Sequence, residues 1–361
     1  VSKPVFILVP SFDPTGPVKG AFALANVLVQ GFSVRLVALK EYVGAELPAL
    51  DRRVSIHSLA LERSPLSKLS AYRRMLDEAR THSGHHPTSI SLCFSADVLN
   101  AACSGRARII ASIRSNLLKD YRMGFGLVGL PLARFHYLLL NRFEHVIAMT
   151  HSMASEIGRF LSQEPVVIGN FVDEVFLERY RAVGQEGPYR FLFLGSLTER
   201  KQPLLVVQAL AELVEQGVDA TLDLIGGGPL QGILEAEVSK RKLAQRVRMH
   251  GHLSDPYRLL AAADVMVLPS LSEGLARAGL ESLYLGVPCV LRDVDGNGEL
   301  ISEGSNGALF ADDSELSRSM LRAAELSRVS SEKTCLLPSA FRKAYAEQRF
   351  AQLIGESSLG Y

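Results

Sequence analysis

Two carboxylates stand eight positions apart in the run Glu273-Gly274-Leu275-Ala276-Arg277-Ala278-Gly279-Leu280-Glu281. Upstream, Asp264–Leu268 reads as a short apolar strand, after which the chain turns at Leu271-Ser272. Downstream, Ala276–Leu285 has the apolar rhythm of a helix, closed by Gly286-Val287-Pro288 before a new strand at Cys289–Leu291. Strand, loop, helix and strand in that order put Glu273 on the loop at a strand's C-terminal end, where open α/β sheets bind ligands. The backbone N–H groups of Gly274, Leu275 and Ala276 then fall at a helix N-terminus, which favours anions. Glu281, further along the helix, can point back to the same crevice. Carboxylates that accept hydroxyl hydrogen bonds beside amides that hold phosphate suit a phosphorylated sugar. A glutamate near a helix start also serves as a dipole partner, and one further along as a solvated charge, so the pair alone leaves both readings open.

Other segments carry related chemistry. Gly195-Ser196-Leu197-Thr198-Glu199-Arg200-Lys201-Gln202-Pro203 follows an apolar strand, Arg190–Leu194, and opens the helix Leu204–Gln216. Arg200 and Lys201 there can neutralise a diphosphate, or simply cap a loop. Gly226-Gly227-Gly228 follows the strand Ala220–Ile225, but Gly232 lies one position too far on for a dinucleotide fingerprint. Arg248, Met249 and His250 also stand where that motif needs an acidic residue, which excludes a dehydrogenase. Arg114, in Ser112-Ile113-Arg114-Ser115-Asn116, ends a strand on the ligand side and can bind a phosphate or sit in an ion pair. Gly16 lies in the loop Asp13–Gly20 between the first strand and the first helix, where a plain connection is an equal reading.

The elements that must position these residues alternate along the whole chain. Apolar runs at Val5–Val9, Ser33–Leu39, Val54–His57, Ser89–Phe94, Ile109–Ile113, His145–Met149 and Val166–Ile168 are separated by amphipathic stretches such as Val18–Gln30 and Leu66–His82. A second series begins at Arg190, with strands at Ala220–Ile225, Val247–His250, Asp264–Leu268 and Pro288–Leu291. Such alternation predicts two doubly wound, mostly parallel α/β domains, facing each other across a cleft. Their expected bounds are 1–177 and 190–338, with a linker of Gly- and Pro-containing composition at 178–189 and a helical tail at 339–361.

The Asp264–Val290 stretch resembles the Glu-x7-Glu region of family 4 retaining glycosyltransferases, which have the GT-B fold, and the resemblance recurs along most of the chain. It implies that Lys201, six residues after Gly195, grips the donor diphosphate, with Arg200 substituting for the family arginine whose place Ser196 takes. It implies that backbone around Leu253, in Gly251-His252-Leu253, pairs with a nucleobase, that Glu281 holds the ribose, and that Glu273 with Gly274–Ala276 orients the transferred sugar and its phosphates. Arg114 replaces a family histidine that touches the sugar, Gly16 matches one residue of a Gly-Gly loop, and Asn170 belongs to a turn at the domain junction. Asp293-Val294-Asp295 imitates a metal-binding Asp-x-Asp, but in this family the place is a Gly-rich turn, so a metal-independent site without cofactor is expected. The C-terminal helix is expected to cross back to the first domain. The implied function is transfer of a sugar from a UDP- or GDP-linked donor to a saccharide or polyprenyl-diphosphate-saccharide acceptor, in lipopolysaccharide or exopolysaccharide synthesis. A nucleotide-sugar epimerase on the same fold and a non-catalytic nucleotide-sugar-binding module are the alternatives.

Charge and composition bound the partners. The chain of 361 residues is 47% hydrophobic with a net charge of +1, enough for two packed cores. Through Asn170 there are 19 basic and 12 acidic residues, whereas the remainder has 20 and 26. The basic first half suits an anionic partner, and the basic, leucine-rich stretches Leu66–Arg80 and Leu117–Arg142 could lie on an anionic membrane surface. Buried helices with solvated basic faces would have the same composition. No nucleic-acid module is recognisable. Four cysteines without paired spacing, and no signal peptide ahead of the first strand, predict a reduced, cytoplasmic protein, and the basic stretches add an expectation of peripheral attachment to the inner membrane face. No run is expected to span a bilayer, since the apolar stretch Phe125–Leu140 is interrupted by Arg134 and His136.

Overall fold

A computed structural model describes residues 2–13, 15–40, 50–181, 187–329 and 332–355. The chain divides into two compact units, Val1–Phe171 together with Lys343–Tyr361, and Val172–Arg342.

The first unit contains β1 (Pro4–Val9), β2 (Ser33–Ala38), β3 (Ser55–Ser58), β4 (Thr88–Leu92), β5 (Arg108–Ser112), β6 (His145–Ala148) and β7 (Val166–Val167). All pair in parallel, in the order β3-β2-β1-β4-β5-β6-β7. β1 is buried at every position, as a parallel strand covered on both faces must be, which is why it reads as an unbroken apolar run. Helix Gly16–Leu28 covers one face with Val18, Phe22, Leu24 and Leu28. The last helix, Lys343–Gly355, packs into the same core through Ala346, Phe350, Leu353 and Ile354. Lys3 Nζ donates to the Ile354 carbonyl at 2.6 Å and Arg108 Nη1 at 3.2 Å. Two cations thus satisfy helix-end carbonyls, where the dipole is negative.

The second unit contains β8 (Tyr189–Leu194), β9 (Ala220–Ile225), β10 (Val247–Gly251), β11 (Val265–Leu268), β12 (Cys289–Arg292) and β13 (Gly307–Phe310), in the parallel order β10-β9-β8-β11-β12-β13. The order reverses between β8 and β11, which lie side by side, so the loops that follow these two strands flank a topological switch point.

Several sequence expectations need correction. β4 ends at Leu92, two residues before the expected Phe94, because Cys93 adopts φ 75° and Phe94 starts the helix Phe94–Ala101. β13 and the helix Leu316–Ser327 add to the expected elements of the second unit. The units part at Phe171/Val172 and Arg342/Lys343 rather than at 177/178 and 338/339. Residues 178–181, placed in the linker by composition, belong to the second unit. Phe176, Tyr180 and Tyr257 pack as a triangle of rings 5.4–5.5 Å apart. Tyr284 Oη donates to Glu178 at 2.8 Å, and Arg342 pairs with Glu174 at 2.6 Å. Residues 182–186 of the expected linker lie outside the described residues, and 187–189 lead into β8, which already begins at Tyr189.

The apolar stretch expected at Phe125–Leu140 extends over Leu117–Leu140. By length and composition Leu117–Leu140 is apolar enough to cross a bilayer, yet only 28% of its apolar window is buried. It is not one rod: helices Leu117–Phe125 and Gly129–Leu140 are joined by a short turn at Gly126–Val128. Its base is held by a buried polar chain in which Ser91 Oγ donates to Asp97 at 2.6 Å, Asp97 meets His136 Nε2 at 3.0 Å, and His136 Nδ1 meets Tyr121 Oη at 3.1 Å. Asp97 is fully buried and His136 is 1% exposed. Asp97→Ala is therefore expected to cost roughly 3 kcal/mol, since it strands buried polar partners. The shift of the urea midpoint reads this, and a loss within experimental error would exclude the chain as a structural tie.

Candidate functional site

The loop after β8 begins at Gly195, tightens into a 3-10 turn at Glu199–Lys201, and enters helix Pro203–Glu215 through Gln202 at φ 52°. Proline at the first helical position, where no N–H is needed, fixes that entry. The loop after β11 runs through Pro269–Ala276 into helix Arg277–Tyr284. The two loops are joined by backbone, with Leu271 N donating to the Arg200 carbonyl at 2.8 Å. Arg200 Nη1 adds a bond of 2.7 Å to the Ser272 carbonyl.

Lys201 Nζ donates directly to Glu273 Oε1, and Arg200 Nη1 lies 3.7 Å from the same oxygen. Glu273 is 9% exposed and the Lys201 side chain 14%. A carboxylate so far out of water needs a cation beside it, and a pair this buried is strongly disrupted if either member is removed. Among the described residues nothing donates to Glu273 Oε2, which leaves that oxygen available for a ligand hydroxyl. The loop itself is held by Asp295, whose Oδ2 accepts from Glu273 N at 2.9 Å. Asp295, the second aspartate of the Asp-x-Asp imitation, thus has a loop-holding task.

Gly274, Leu275 and Ala276 are buried, and among the described residues none accepts from their amides. Buried N–H groups without acceptors call for a partner, and three of them beside a cationic pair favour an anion.

Glu281 forms a second cluster on the same helix. Its Oε1 accepts from Arg277 Nε at 3.0 Å, one helical turn back, and from Tyr257 Oη at 3.3 Å. Burial and the Glu281 carboxylate push the Tyr257 phenol well above the usual tyrosine range, so it stays a hydrogen-bond donor at neutral pH. Arg277 Nη1 is buried with no partner among the described residues.

The glycine turn Gly226–Gly228 has a packing role. A Cβ on Gly226, which adopts φ 141°, would lie 1.8 Å from the Gly195 carbonyl oxygen. Leu197 N donates to the Gly227 carbonyl at 2.9 Å, and Gly226 N to the Gly251 carbonyl at 2.8 Å. Three strand-end loops are thereby locked together, with Ser196 exposed on one and Leu253 half-buried just beyond another.

The structure therefore joins Lys201, Arg200 and Glu273 directly and sets Glu281 on the helix that follows. Arg114 and Gly16 belong to the first unit. The Arg114 guanidinium meets Asn170 Oδ1 and lies over Gly20, where a Cβ would collide with it. Gly16 is not in a loop as expected: it is the first residue of helix Gly16–Leu28. Sequence reading missed Arg277, Tyr257 and Asp295 as site residues. The four-residue step from Arg277 to Glu281 was a legible helical ion-pair signal, whereas Tyr257 and Asp295 arrive from distant segments.

Residues 178–333 match the family model of glycosyl transferases group 1. The chain is 32% identical over 123 residues to the UDP-Gal:alpha-D-GlcNAc-diphosphoundecaprenol alpha-1,3-galactosyltransferase of Escherichia coli, covering 33% of this chain and 32% of that one. It is 31% identical over 173 residues to the N-acetyl-alpha-D-glucosaminyl L-malate synthase of Bacillus anthracis, covering 45% of each. The chain thus matches less than half the length of these curated relatives. The crystal structure of Anabaena HepE in complex with UDP-glucose superposes with a TM-score of 0.74 over 98% of this chain and 99% of that one, at 18% identity. The chain has the GT-B fold, and within its second unit residues 178–333 are similar to the glycosyl transferases group 1.

Proposed function

We propose that this chain is a retaining, metal-independent glycosyltransferase that moves a sugar from a nucleotide diphosphate donor to a saccharide acceptor carried on a lipid diphosphate. The observation that carries the reading is the buried contact of Lys201 with Glu273 at the β8/β11 switch point, next to three amides that lack acceptors. The donor diphosphate would draw Lys201 and Arg200 and accept from the amides of Gly274–Ala276. Glu273 would hold a hydroxyl of the transferred sugar, Glu281 the ribose hydroxyls, and backbone near Ser196 and Leu253 the phosphate and base. Arg114 would bind a phosphate.

In the transfer, the bond from the anomeric carbon to the diphosphate oxygen breaks and its electron pair leaves with the diphosphate. The acceptor oxygen forms its bond on the same face, and its proton passes to the departing phosphate. Cations already in place around the growing negative charge typically contribute several kcal/mol. The named donor and diphosphoundecaprenol-linked acceptor of the Escherichia coli relative support a UDP-sugar and a lipid-linked acceptor, hence envelope polysaccharide synthesis at the cytoplasmic face of a membrane. An epimerase gains no support from relatives named as transferases and synthases.

Glu273→Ala is expected to lower kcat at least about a hundredfold while leaving the circular dichroism spectrum unchanged; near wild-type transfer would remove Glu273 from its role. Proton NMR of the product should show the donor's anomeric configuration, and an inverted linkage would overturn the retaining assignment. Lys201→Met should cost about 2–3 kcal/mol of stability by stranding Glu273, with part regained in the Glu273→Gln/Lys201→Met double variant. Additive losses in that cycle would mean that the two side chains do not act as a pair.

A further inference from the structure

The first unit carries a feature that sugar transfer does not use. The turn between helices Leu117–Phe125 and Gly129–Leu140 and the arms beside it expose apolar side chains: Phe125 at the end of the first arm is 59% exposed, Leu127 and Val128 in the turn 90% and 69%, and Leu138 on the second arm 71%. Exposed apolar residues scattered singly are ordinary, but this many on one pair of adjoining helices mark an interaction surface. We propose that Leu117–Leu140 is a monotopic membrane anchor whose apolar turn dips into one leaflet of an anionic bilayer without crossing it.

Three observations select this occupant. The first is length. The arms have 9 and 12 residues, so they reach about 14 and 18 Å, well short of a hydrocarbon core about 30 Å thick. The stretch is apolar enough to span a bilayer as a single helix, but its fold forbids that. A Cβ on Gly129 would lie 2.1 Å from the Tyr121 carbonyl oxygen, so the second arm begins in backbone contact with the first. Further along, His136 reaches Tyr121 again.

The second is rigidity. The arms are pinned to the core by the buried Asp97–His136–Tyr121 chain, with Phe94 packed edge-on against Tyr121 and His136. The apolar turn is therefore presented on a fixed base.

The third is charge. Arg122, Arg134 and Arg142 are all exposed on or beside the arms, and the half of the chain up to Asn170 carries seven more basic than acidic residues. Apolar groups rimmed by arginine match the boundary between acyl chains and anionic headgroups. A second copy on the same face would bring two arginine rims together. By contrast, helix Pro65–Ser83, the other basic stretch, buries Tyr72, Leu76 and Ala79 against the core as an ordinary surface helix does. The anchor rests on the lipid-linked acceptor reading for its purpose, though not for its physical basis.

The test uses the full chain, without any nucleotide sugar. Leu127→Trp gives the chain a single indole, since it has no tryptophan of its own. With phosphatidylcholine vesicles containing phosphatidylglycerol, its emission should shift to the blue and be quenched by lipids brominated along the acyl chain. Pure phosphatidylcholine should bind much less. Leu127→Glu, at a site that touches little of the core, should weaken vesicle cosedimentation about tenfold or more with unchanged thermal stability. An unshifted indole, or equal binding by Leu127→Glu, would overturn the anchor. So would a dimer in ultracentrifugation that Leu127→Glu disperses while vesicles remain unbound, because the face would then belong to a second copy. Vesicle binding without transfer from any donor would leave the anchor standing and sink only the transferase reading; transfer to a soluble acceptor without vesicle binding would do the reverse.

Discussion

A glutamate carboxylate 9% exposed survives only beside a cation, and Lys201 supplies it for Glu273. The two residues are 72 positions apart, so the contact requires the loops after β8 and β11 to meet. They meet because a doubly wound sheet brings those strands side by side where its order reverses. The backbone bond from Leu271 to Arg200 and the Arg200 bond to the Ser272 carbonyl then fix the approach. Topology, loop register and side-chain chemistry thus serve one ion pair.

That pair is also a poised site. Lys201 is neutralised by Glu273, so on the proposed reading a donor diphosphate would compete for a cation that is already oriented, and Glu273 would trade part of one partner for sugar hydroxyls. Arg200, with a side chain 40% exposed, can follow the ligand more freely than Lys201. Glu281 is prepared in another way. Arg277 and Tyr257 both address Oε1, which fixes the carboxylate's rotation and directs its other oxygen elsewhere. Holding polar groups in place before the ligand arrives lowers the reorganisation left for the reaction.

Much of this was legible in the sequence because parallel strands buried on both faces are written as unbroken apolar runs, and helix entries as proline or glycine punctuation. Glu273, Lys201 and Arg200 could be found because each follows a strand by only a few residues, so local order placed them at strand ends. What escaped depended on distant segments. Asp295 holds Glu273 N from 22 residues away, and Tyr257 reaches Glu281 from 24. β4 was overrun because nothing in Ser-Leu-Cys-Phe announces a residue at φ 75°. The linker was misplaced because glycine and proline composition marks irregular chain, whereas the unit boundary is set by aromatic packing of Phe176 and Tyr180 on Tyr257.

The hairpin Leu117–Leu140 illustrates a different limit. Its composition fits a buried helix, a membrane span or a surface element, and hydrophobicity alone does not separate them. What separates them is where the chain turns and which side chains find partners. Gly126 at φ 58° and the close approach at Gly129 break the rod, and the Asp97–His136 pair commits the inner face to the core. The outer apolar residues are then left in water, a cost that burial in the protein would have removed at about 25 cal/mol per Å². A chain that buries Tyr121, Ala133 and Tyr137 but leaves Leu127 and Leu138 exposed on the same hairpin would, with the proposed anchor, be divided between two apolar environments, its own core being only one of them.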